Sequence, residues 1–164
     1  MSTDLQLDGA TVTLFGERDA LDIALSDELG RRGCGTHSIA IPVGWLHTTQ
    51  HAVLRLETLS GDLALRELTG QDAPATHVVA VCERPANSDD ASRIEELCRQ
   101  CGDHHDVSLI WHAPMGESPV PDTRSGRAPD PADLASTIAD EIGLQCGATD
   151  TPSFATQTYA SPDR

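Results

Sequence analysis

The chain contains no lysine. All 11 of its basic residues are arginines, which excludes the lysine of a phosphate-binding P-loop, any lysine Schiff base and any tyrosine-lysine proton relay. The only tyrosine is Tyr159, five residues from the end. No stretch approaches the roughly 20 consecutive apolar residues that cross a bilayer. The opening residues, MSTDLQLDGA, have neither the basic nor the apolar region of a secretory leader. The sequence therefore predicts a cytoplasmic protein without membrane contact. No basic cluster interrupts the excess of 26 Asp and Glu over 11 Arg, and a formal charge of −15 repels nucleic-acid phosphates. Five cysteines, an odd number without a leader, predict reduced thiols and no disulfide framework. There is no internal repeat.

What is present alternates between two periodicities. Residues 11–15 (TVTLF) read as a strand, and Ala20, Leu21, Ala24, Leu25 and Leu29 recur at helical spacing until Gly33. Thr36 to Ile41 reads as a second strand stopped by Pro42, and residues 52–57 as a third. Ser60 can cap a short helix through Leu68. The most apolar β-branched run, THVVAVC at 76–82, belongs at the centre of a sheet. A helix from Ser88 or Asp89 to Cys101 leads into the strand DVSLIWH at 106–112, and an amphipathic helix runs from Asp130 to Gly143. The fold class this predicts is α/β: a three-layer α/β/α domain over residues 1–144 with a mostly parallel sheet of about five strands. Residues 113–129, rich in Pro, Gly and Ser, read as an exposed connection. Residues 145–164 read as a flexible tail.

The segment VTLFGERDALDIALSDELGRRG resembles the opening unit of the short-chain dehydrogenase/reductase superfamily, in particular its extended, nucleotide-sugar epimerase type. That unit is a strand, three glycines separated by two residues each, and a helix ending near Arg-Arg-Gly. On this chain the first glycine is Gly16, but Asp19 and Asp22 occupy the second and third positions. In the family those glycines admit a dinucleotide pyrophosphate to the helix N-terminus. An acid there stabilises its own helix by about 0.3–1 kcal/mol and takes up the dipole a phosphate would use. The family's Tyr-x-x-x-Lys relay is missing. The resemblance covers about residues 10–112 and implies a degenerate Rossmann-like domain without redox chemistry. A receiver-like or flavodoxin-like domain can produce the same strand-turn-helix, although a working receiver would need a lysine after its fifth strand.

Two further constellations carry chemistry. The carboxyl ends of the strands would gather Gly16, Trp45, Arg84 and His112 around the usual α/β crevice, a setting for NAD(P), a nucleotide sugar or another anionic or aromatic ligand. Against this, Trp45 and Trp111 can simply pack beneath loops. CRQCGDHH places Cys98 and Cys101 two residues apart with His104 following, a thiolate and imidazole set that suits zinc; the same cysteines on a helix can equally be core residues. Cys82 with His112 would make a thiol nucleophile and base, although cysteine is also a common buried residue at the end of a central strand. Taken together, the residues predict a non-catalytic protein without a cofactor, acting through a protein partner or as a homo-oligomer. The alternatives are a small NAD(P)- or nucleotide-sugar-binding enzyme and a zinc- or thiol-dependent protein.

Overall fold

A computed structural model describes residues 11–15, 20–39, 51–69, 77–83, 87–112, 131–146 and 153–158. In chain order the elements are β1 (Thr11–Phe15), α1 (Ala20–Arg31), β2 (Gly35–Ile39), β3 (His51–Arg55), α2 (Leu59–Thr69), β4 (His77–Glu83), α3 (Ser88–Cys101), β5 (Asp106–His112), α4 (Pro131–Cys146) and β6 (Ser153–Thr158). The strands form one six-stranded sheet in the order β2-β1-β3-β4-β5-β6, every neighbouring pair parallel. Parallel strands are buried on both faces, which is why β4 reads as a continuous apolar run.

Each strand sends alternate residues to opposite faces, and two separate cores result. Val12, Leu14, Val53, Val79, Val81 and Ile110 pack against Leu21, Leu25 and Leu29 of α1 and Leu134, Ile138 and Ile142 of α4. Phe15, Leu54, Val78, Ala80, Leu109 and Trp111 pack on the other face with Leu65 and Leu68 of α2 and Cys98 and Cys101 of α3. The fold is therefore a three-layer, Rossmann-like α/β/α domain. Each fully buried Leu or Ile contributes about 1.5–3 kcal/mol to it.

Local chemistry sets the element ends. Gly33, at φ 82°, closes α1 with Cys34 N–H donating to the Leu29 carbonyl, a left-handed stop that favours glycine. Asn87 caps α3, its side chain accepting from Asp89 N–H. Pro131 opens α4, where a missing N–H costs nothing. The cap of α2 is Thr58, two residues earlier than the expected Ser60: its hydroxyl accepts from Gly61 N–H and donates to the Arg55 carbonyl.

Two features depart from expectation. Part of the segment read as a flexible tail, Ser153–Thr158, is instead the sixth strand, paired along β5. The third strand lies beside β1, whereas the usual dinucleotide-binding order puts it outside the second; the order 2-1-3-4-5 is the flavodoxin-like one. The connections also differ in hand. From β1 to β2 the chain steps one way with α1 on one face; from β3 to β4 to β5 it steps the other way with α2 and α3 on the opposite face, which is the same hand. From β5 to β6 it steps in this second direction while α4 lies on the face of α1, so among the four crossovers that carry a described helix this one alone has the opposite hand.

Candidate functional site

In an open parallel sheet the ligand crevice lies outside the carboxyl ends of the strands, at the point where strand order reverses. Here that point falls between β1 and β3. Of the residues expected to line it, Gly16, Trp45 and Arg84 lie outside the described residues, as does Asp19. His112 is at the end of β5 and buried, on the face of Ile110 and α4.

Asp22, at the third glycine position, is described and has a partner. It is 4 % exposed and accepts from the Arg55 guanidinium at 3.0 Å, joining the first turn of α1 to the end of β3. The side chain thus turns inward, and its charge is held by a neighbouring strand.

Beyond Arg55 the chain makes a tight corner. Glu57 adopts φ 76°, a left-handed conformation that disfavours residues with a Cβ. Its N–H donates to Asp62 Oδ1 at 2.8 Å. Gly61 is required at the next contact, because a Cβ there would stand 2.2 Å from the Arg55 carbonyl oxygen. The carboxyl group of Glu57 is pushed above its usual range by burial first, then by the charges of Glu83, Asp62 and Asp90. Cys82 lies 3.9 Å from it, and burial together with these carboxylates pushes the thiol up to about 12. A thiol at that value is not a nucleophile near neutrality.

The Cys82 and His112 pair is divided by the sheet. Cys82 belongs to the core under α2 and α3, whereas His112 is on the other face. A cleft of about 140 Å³ opens beside the corner, between α2 and α3, lined by Leu56, Glu57, Asp62, Arg66, Arg93 and Leu97 among others.

Cys98 and Cys101 stand one helical turn apart on the inner side of α3, both fully buried in the apolar core. Burial raises both thiols to about 12, with Cys101, Cys82 and Glu95 adding to the effect at Cys98. His104 is half-buried. Among the described residues no group of three or more His, Cys, Asp or Glu is arranged to hold a metal ion.

No family model matches the chain, and no curated protein matches it in sequence. At the carboxyl edge the helix N-termini present acids or filled caps: Asp22 in the first turn of α1, Thr58 and Asp62 at α2, and Asn87, Asp89 and Asp90 at α3. Sequence reasoning missed Arg55, Glu57 and Gly61. The one available signal was LETLSGD after a strand, in which Thr, Gly and Asp at successive helical entry positions mark a tightly capped turn.

Proposed function

We propose that this is a non-catalytic, Rossmann-like accessory protein that acts through contacts with another protein. The supporting observation is the buried Asp22–Arg55 pair at the turn where a cofactor phosphate would lie. The negative charge of Asp22 in the first turn of α1 opposes a second anion at the same helix end. At α2 and α3 the positive helix ends that ordinarily attract anions are already met by side chains of the chain itself. The absence of lysine and of the Tyr-x-x-x-Lys relay agrees with this reading. With a net charge of −15 and Glu57, Glu83 and Asp90 at the edge, the complementary partner surface is basic.

Thermal unfolding with and without NAD(H), NADP(H) and nucleotide sugars tests the proposal. No stabilisation is expected; a ligand at 100 times its Kd would add roughly 2.7 kcal/mol, and a shift of that size would sink the reading. Mass-spectrometric cross-linking supplies the positive arm. A partner captured by the wild type and lost on Glu83→Gln with Asp90→Asn is the expected result.

A further inference from the structure

At the amino edge of the sheet, opposite the crevice, β3 and β4 both open with histidine. The register sets His51 beside His77, and His77 beside Asp106 of β5. Alternation puts both imidazoles on the face of α1 and α4, with Val53 and Val79. Their Nδ1 atoms are 3.1 Å apart, and the ring centroids 4.9 Å apart. Both residues are half-buried.

We propose that His51 and His77 form a two-imidazole site for a late first-row transition-metal ion such as Zn²⁺, Ni²⁺ or Cu²⁺. Two nitrogens each about 2.05 Å from one ion stand about 3.3 Å apart in a tetrahedral arrangement and about 2.9 Å apart in a square-planar one. The observed separation falls between these values. The centroid spacing adds a second constraint. Rings joined by a straight N–H···N hydrogen bond of this length would have centroids about 5.4 Å apart, whereas rings aimed at a shared ion about 2.05 Å from each nitrogen would have them about 4.8 Å apart. The observed 4.9 Å lies close to the second value. Asp106, the register neighbour of His77, supplies a carboxylate on the adjoining strand. Among the described residues no third ligand is in place, so water completes the coordination.

The test uses the untagged full-length chain. Calorimetric titration with Zn²⁺ and with Ni²⁺ should give one ion per chain, with affinity reduced at least about 100-fold by either His51→Gln or His77→Gln, since even outer-shell changes cost 10–100-fold. Circular dichroism of the variants without metal checks their fold. Electron paramagnetic resonance of the wild type with one equivalent of Cu²⁺ should show splitting from two imidazole nitrogens, a result that does not depend on the variants folding. No binding, binding that survives both substitutions, or a Cu²⁺ spectrum without two nitrogens would overturn the proposal.

Discussion

Gly61 shows how one residue fixes the corner between β3 and α2. A methyl group there would overlap the Arg55 carbonyl, a backbone atom that cannot swing aside. Gly61→Ala should therefore destabilise the protein by about 1–3 kcal/mol, despite alanine's higher helix propensity, as measured by urea unfolding. The Asp22–Arg55 pair makes a second prediction. Asp22→Ala strands a mostly buried guanidinium and should cost about 2–4 kcal/mol, whereas the double change Asp22→Leu with Arg55→Met should come within about 1 kcal/mol of wild type. A double-mutant cycle built from Asp22→Leu, Arg55→Met and the two together measures the coupling, and a double variant whose loss equals the sum of the two single losses would show that the pair is not coupled. The second contact is not legible in the sequence. Asp22 and Arg55 are 33 positions apart and meet only because β3 pairs with β1, a choice no local pattern encodes. The acid at position 22 is visible at once; that it faces inward is not.

Elements were easier to read where one periodicity prevails. Short apolar runs mark β1, β4 and β5 and helical spacing marks α1 and α3 most plainly; with the weaker signals of β2, β3, α2 and α4, five of the six strands and all four helices follow from pattern. β6 escaped because SFATQT offers few apolar residues at an edge, and Phe154 is the one that packs on the core, beneath the Arg99 guanidinium 5.7 Å from its ring. Ending the chain after residue 146 should leave the remaining five-stranded sheet folded, with a loss of about 1–3 kcal/mol from the Phe154 contacts; circular dichroism and thermal unfolding report both. The two helices on the other face depend on a polar clamp. Arg32, 7 % exposed, donates to Glu28 at 2.9 Å and to Asp140 of α4 at 2.8 Å, while Arg31 also pairs with Glu28. Arg32→Met should cost about 1–3 kcal/mol by leaving these carboxylates without their shared partner, and amide exchange should quicken in α1 and α4 before it does in α2 and α3. The histidine pair is legible only in hindsight. HAVLR and HVVAV begin alike, but the two openings become a site only if the strands are adjacent and in register.

For the molecule as a whole, protons link these regions to stability. Burial holds His51 and His105 below 6.5, with His77 adding at the first and His104 at the second, where a bond to the Leu68 carbonyl opposes the shift. The unfolded chain then binds protons more readily, so stability is lost as pH falls from 6.5 through their folded values. Burial tends to raise Glu28, but Arg32 and Arg31 outweigh it and hold the group below 4.5; its contribution is present above 4.5 and disappears as pH falls further. Glu57, raised above 4.5, acts in reverse and costs stability as pH rises through its folded value. Urea unfolding with EDTA present should thus show a decline from pH 7.5 to 5.5 that is smaller in His105→Gln, while Glu57→Gln should gain stability at pH 7.5 and none at pH 4. Among the described residues no helix is long and apolar enough to cross a membrane. The reversed hand of the final crossover bears on the order of assembly. With α4 laid against α1 and β6 returned to the far side of β5, the last strand is set apart from the other five, and pulsed hydrogen exchange during refolding should find its amides protected last.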